Sequence, residues 1–287
     1  MKYIIYILLF FPIWVTAQTY KYIGIEEGLS NRRIFSIQKD AEGYMWFLTN
    51  EGMDRYNGKD IKHYRLNKDD KTLESPIHLG WIYTNPHIGT WVIGKQGRVF
   101  QYERKYDDFK LVYKLPNSLE AISYGYMDRS NNIWLCRKHS ILLYNTENAQ
   151  ILQFTNILHS NITAIEQVDD HHFFISTETG VRYLKLENGT LKIIPTETLD
   201  YFHVQVNELY YHQASKRLLI GSFERGLFVY DMNNREIIKP EVDLSDVSIT
   251  CMAPLDESQL LISTEGMGVY KININTCQME QYIVANY

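Results

Sequence analysis

Six times along this chain a short apolar run, a brief polar turn and a second short run follow one another. The first runs are centred on Trp46, Trp91, Trp134, Phe174, Leu219 and Leu261, 40 to 45 residues apart. The units read alike, as in TWVIGKQGRVFQYE, NIWLCRKHSILLYN, FFISTETGVRYLK, LLIGSFERGLFVYD and LLISTEGMGVYKI. Turn residues between short aromatic and β-branched runs are the signature of tightly connected antiparallel strands. An apolar segment precedes each hairpin (residues 34–38, 79–83, 122–127, 162–167, 206–211 and 249–253) and an alternating segment follows it. Four short strands per unit of about 43 residues is the period of a propeller blade, with strand A innermost and strand D outermost. The fold class expected is all-β, a β-propeller of four-stranded blades.

The first hairpin, residues 40–56, reads DAEGYMWFLTNEGMDRY. It resembles the two-component regulator propeller repeat, roughly D-x-x-G-x-x-W-x-G-T-x-x-G-L-x-R-Y. Asp40, Gly43, Trp46, Thr49, Gly52, Arg55 and Tyr56 stand where that pattern has them, while Leu48 and Met53 depart from it. The resemblance extends over residues 20–284. It implies the exported sensor region of hybrid two-component systems, in which two propellers and a β-sandwich precede a transmembrane helix and a histidine kinase. Nothing of the kinase is present, so no catalysis is expected of this chain. The resemblance also implies regulation of carbohydrate use, an oligosaccharide ligand and a homodimer in the longer sensor, with the membrane reached only through C-terminal regions. Two rival readings stand beside it: a lyase or glycosidase on the same propeller, and a propeller that serves only assembly.

Residues 19–25 read as an orphan outer strand with no A, B or C before it, while the sixth repeat has its own strand D over 278–284. Propellers close by completing a blade from both termini, which removes free sheet edges. Six repeats and a leftover strand therefore suggest part of a seven-bladed propeller, with residues 18–287 incomplete at the C-terminal end. Residues 1–17 read as a secretory signal peptide: Lys2, an uncharged run from Tyr3 to Val15, then Val15-Thr16-Ala17 ahead of Gln18. Thirteen residues span about 20 Å as a helix, short of the roughly 30 Å hydrocarbon core. The mature chain is expected to be exported, soluble and periplasmic.

A net charge of -5 and a pI near 6.0 give no footprint for phosphate backbones, so nucleic acid is not an expected partner. Cys136, Cys251 and Cys277 are an odd number for an exported chain, and all three read as small core residues. No metal or cofactor is expected. The one suggestive pair, His171-His172, lies in a turn of extended chain whose neighbours point to opposite faces. The Asp40, Gly43, Trp46 spacing slightly resembles the Asp-box of glycosidase propellers. It reads more simply as a turn with Trp46 packed between blades, and Trp91 and Trp134 read likewise as core.

By analogy of fold, ligands meet a propeller where the B–C turns and D–A connections gather. The candidate ligand-binding residues there are Asn31, Arg32, Arg33, Glu51, Lys95, Arg137, His139, Glu178, His203, Glu224 and Arg225. Guanidinium forks match carboxylate or sulfate on a charged glycan, which singles out Arg32 and Arg33. Glu51, Glu178, Glu224 and Glu265 recur in the B–C turns, where an ordinary solvated turn is the plain alternative. Trp81 and Tyr201 are candidates for stacking on sugar faces, with core packing as their alternative.

Overall fold

The structure is a computed structural model that describes residues 21–66, 79–116, 121–200 and 202–284. The signal segment and Tyr201 lie outside them. Six four-stranded antiparallel sheets, each with its strands in sequence order, form a six-bladed β-propeller. The blades begin at Ile34–Lys39, Leu79–Asn85, Tyr124–Met127, Ile162–Gln167, Val206–His212 and Ile249–Pro254, their A strands. The B strands follow at Met45–Thr49, Gly89–Gly94, Asn132–Cys136, His172–Thr177, Arg217–Ser222 and Gln259–Thr264. A strands of consecutive blades touch one another along the chain of blades, so they form the inner wall.

Burial explains why the B strands read as unbroken apolar runs. Successive side chains of a strand face opposite sides of its sheet. Phe173 and Ile175 pack towards blade 3 with Trp134, whereas Phe174 between them packs towards blade 5 with Leu209 and Leu218. Leu218 and Ile220 face blade 4, and Leu219 faces blade 6 with Leu260 and Ile262. Trp46 and Leu48 join Ile82, Val92 and Phe100 between blades 1 and 2, and Trp91 and Ile93 join Ile133 and Leu135 between blades 2 and 3. A sheet covered on both faces needs both kinds of position apolar. Trp46, Trp91 and Trp134 are core residues, as expected.

The Asp-x-x-Gly-x-x-Trp spacing is structural. Asp40 accepts from the backbone N–H of Glu42 and Tyr44, at 3.1 and 2.8 Å, and its Oδ2 accepts the Trp46 indole N–H at 2.7 Å. Asp128 repeats this with Ser130, Asn132 and the Trp134 indole. One carboxylate thus closes the A–B turn and satisfies a buried indole donor. The turn needs a left-handed residue, supplied by Gly43 at φ 89° and, where glycine is missing, by Asn131 at φ 61°.

The blade sequence leaves one seam. Buried clusters join blades 1–2, 2–3, 3–4, 4–5 and 5–6, and among the described residues none joins blade 6 to blade 1. Leu261 and Ser263 are only partly buried where their counterparts on blades 2 to 5 are covered. Cys251 and Ala253, paired with them across the sheet, are exposed. Phe35 and Ile37 of blade 1 are 40% and 49% exposed. The expectation that all three cysteines are core residues is therefore corrected: Cys136 and Cys277 are buried and Cys251 is exposed, because the face of blade 6 that carries it has no blade beyond it. All three are free thiols. The described part of the expected orphan strand, residues 21–25, makes no ladder and leads into a turn, with Lys21 bonded to Tyr56 and Tyr22 80% exposed.

Candidate functional site

Four of the six B–C turns, those of blades 1, 4, 5 and 6, are built from a hydroxyl and a glycine. Thr49 accepts from the Glu51 N–H and donates to the Gly52 carbonyl, and Thr177 does the same with Thr179 and Gly180. Ser222 and Thr264 donate to Gly226 and Gly268. Gly52 and Gly180 both take φ 133°, and a Cβ there would lie 2.3 and 2.2 Å from the carbonyl oxygens of Tyr64 and Phe202. The turns are thus pressed against the D–A connections, and the two sets of loops make one rim. In five blades an irregularity at the second residue of strand A, at Phe35, Gly80, Thr163, Asn207 and Thr250, bends that strand as it leaves the rim.

All eleven candidate residues stand on this rim. Asn31 accepts from the Arg33 N–H at 2.8 Å, and the Arg33 guanidinium lies 5.0 Å from the Phe35 ring. Glu178 accepts from Asn161 at 3.1 Å, and His203 faces the Thr179 carbonyl at 3.4 Å. The Glu224 N–H donates to Ser248, and the His139 ring meets that of His159 at 6.2 Å. Arg32, Glu51, Lys95 and Arg225 are exposed, and Arg137 is partly buried. Among the described residues no hydrogen bond, ion pair or ring contact joins one of these side chains to another, so they form a ring of separate positions. Trp81 is partly buried, edge-on to Tyr124 at 5.5 Å. His172 bonds Asp169 and stacks on Tyr183 at 5.5 Å, which occupies one member of the adjacent histidine pair.

Sequence reasoning missed the inner wall. Glu166 and Glu208 lie on the A strands of blades 4 and 5, among Tyr83, Tyr124, Tyr126 and Tyr210 of blades 2, 3 and 5. Burial pushes the Glu166 carboxyl up to about 7, opposed by the Tyr211 N–H it accepts at 3.3 Å and by Arg129. Burial, and then the charge of Glu166, pushes Glu208 up to about 8. A carboxylate in an otherwise apolar inner strand was the signal in the sequence.

The opposite side of the propeller has a cleft of about 510 Å³ between the A–B turns of blades 1 and 2. Its Arg55, Asp107, Glu42 and Arg104 side chains are committed to joining the blades. Arg55 pairs with Asp107 at 3.0 Å within 4.7 to 5.6 Å of the rings of Tyr44, Trp46, Tyr64 and Tyr102. Tyr64 and Tyr102 both donate to Asp107, and Lys62 bonds it too. Burial would raise the Asp107 carboxyl, but these donors and Arg55 hold it well below the usual carboxylate range. No helix among the described residues is long and apolar enough to cross a membrane.

The family model described as two-component regulator propeller matches residues 28–51. A comparison with curated proteins gave no match. Among solved structures, the chain is similar to the extracellular domain of a hybrid two-component system of B. thetaiotaomicron. The identity is 19%, the TM-score 0.72, and the match covers 93% of this chain and 37% of that one. A second such domain of B. thetaiotaomicron matches at 18% identity and TM-score 0.69, over 92% of this chain and 34% of the other. Virginiamycin B lyase from Staphylococcus aureus matches at 14% identity and TM-score 0.67, over 88% and 85%. The chain spans about a third of the length of the two-component domains it resembles. It is a β-propeller that carries the two-component regulator propeller repeat, and its fold is similar to that of the extracellular domains of hybrid two-component systems.

Proposed function

We propose that this chain is a ligand-sensing propeller, exported to the periplasm, that forms part of the input of a two-component regulator of oligosaccharide use. The observation that carries this reading is the coincidence of the repeat at residues 28–51 with likeness over 93% of the chain to an extracellular two-component domain. The glutamates of the B–C turns, Glu51, Glu178, Glu224 and Glu265, stand one to a blade in separate turns, which favours binding over bond cleavage. Hydrolysis of a glycosidic bond needs two convergent carboxyls about 5 to 10 Å apart. A ligand on this rim signals only if it binds two arrangements of the sensor unequally. In this reading, further chain supplies a seventh blade at the seam between blades 6 and 1, and a second copy completes the sensor.

The test is to incubate the chain with neutral and acidic oligosaccharides, follow its thermal unfolding and chromatograph the sugars. The reading expects a raised melting temperature with some of them and every sugar recovered intact. New reducing ends or unsaturated products would instead favour an enzyme, as the similarity in fold to a lyase allows.

A further inference from the structure

The six B–C turns do not carry the same charge. Blades 1, 4 and 6 place Glu51, Glu178 and Glu265 there and blade 5 the pair Glu224 and Arg225, whereas blade 2 places Lys95 and blade 3 places Arg137, Lys138 and His139. Of the described rim residues 95–97, 114–116, 137–140 and 155–160, none is acidic, and Lys114 and His159 add to the basic set. In a chain of net charge -5 this is a segregated positive sector, and such a sector raises the local concentration of anions.

Beneath it, between the outer parts of blades 2 and 3, lies a cavity of about 390 Å³ walled by Tyr113, Leu115, Leu135, Leu142 and Ile151, with Arg137 in its lining. The Arg137 Nε is buried without a hydrogen-bond partner, and among the described residues Arg137 makes no ion pair. Folded proteins seldom leave a buried donor unsatisfied, so such a group calls for an explanation. The Arg55 guanidinium, by contrast, is spent on Asp107 and Tyr102. Tyr113 is held by stacking on Tyr144, at 5.0 Å and 26°. Burial raises its phenol, and the nearby Arg137 charge works against that rise. A guanidinium fork beside a fixed aromatic ring, with Ser140 and Gln153 in the same lining, suits a ring that bears a carboxylate, presents a C–H face to Tyr113 and carries hydroxyls at its edge.

We infer that this cavity is the anion-recognising subsite of the rim, with Arg137 taking the carboxylate of an acidic saccharide while Tyr113 packs against its sugar ring. This rests on the saccharide reading above and adds to it the class of sugar. The test is calorimetry of the chain and of Arg137→Gln with trigalacturonate, its neutral methyl ester and benzoate, at low and raised salt.

Trigalacturonate should bind the chain, more weakly as salt rises, and the methyl ester should bind at least about tenfold more weakly, the loss of one charge-assisted pair. Arg137→Gln should lose the same factor for the acid only. Thermal unfolding of Arg137→Leu controls for folding: it removes an unpartnered buried donor, so its melting temperature should not fall below that of the parent. A salt-dependent preference of the unaltered chain for the acid supports the inference even if the variants fold poorly. Equal binding of acid and ester by both proteins overturns the subsite and leaves the saccharide reading standing. Benzoate bound through Arg137 while neither sugar binds keeps the anion subsite and removes the saccharide. Failure of all three probes overturns the inference.

Discussion

At the scale of single residues, the repeat motif is a set of local solutions to backbone problems. Asp40 satisfies two turn N–H groups and a buried indole at once, so Asp40→Ala orphans all three. We expect it to cost about 1–3 kcal/mol, set by the buried Trp46 indole left without a partner, read as a lower urea midpoint. Gly52 and Gly58 separate two effects of adding a Cβ. Both have positive φ, but only Gly52 faces a carbonyl oxygen at 2.3 Å, while nothing lies within 4 Å at Gly58. Gly52→Ala should therefore lower the melting temperature by clearly more than Gly58→Ala, and equal effects would show that φ alone matters there. The motif residues were legible in the sequence because each acts within a few residues of itself. The Arg137 cavity was legible only by half: the guanidinium was singled out, but Tyr113 and Ile151 that wall it lie on strands of different blades.

At the scale of elements, the inner strands hold a pH-dependent term. Glu166 and Glu208 keep their protons in the folded state to about 7 and 8, whereas the unfolded carboxyls release them near 4.5. The folded state therefore binds more protons than the unfolded one between those values. Stability from this source is fully present below about pH 4.5 and is lost as pH rises through 7 and 8. Glu208→Gln should flatten that decline, raising the urea midpoint near pH 9 relative to the parent and leaving it little changed near pH 5. An unchanged slope would mean that these carboxyls are already hydrated in the fold. The order and bounds of the strands were readable from period and turn chemistry, with strand A of blade 3 starting at Tyr124 rather than Ile122. The inner glutamates escaped notice because a single charge in an apolar run carries no period of its own.

At the scale of the whole molecule, blade 6 presents Cys251, Ala253 and half-covered Leu261 where the other blades present a closed core. Extending the chain with the blade proposed for that seam should protect Cys251 from a thiol reagent, while Cys136, buried between blades 3 and 4, stays protected in either form. Reaction of Cys251 at an unchanged rate would place the added blade elsewhere. The number of repeats was legible because it is a count along the chain. The exposure of Cys251 was not, since it depends on what stands beyond the sixth blade. We propose that the rim formed by the B–C turns and D–A connections is the face that reads a ligand. Hydrogen–deuterium exchange with and without a saccharide that raises the melting temperature tests it most directly. Exchange should slow at residues 50–52, 95–97, 137–140, 178–180 and 223–226, and protection confined to the A–B turns at residues 40–44 and 85–89 would show that the opposite face binds instead.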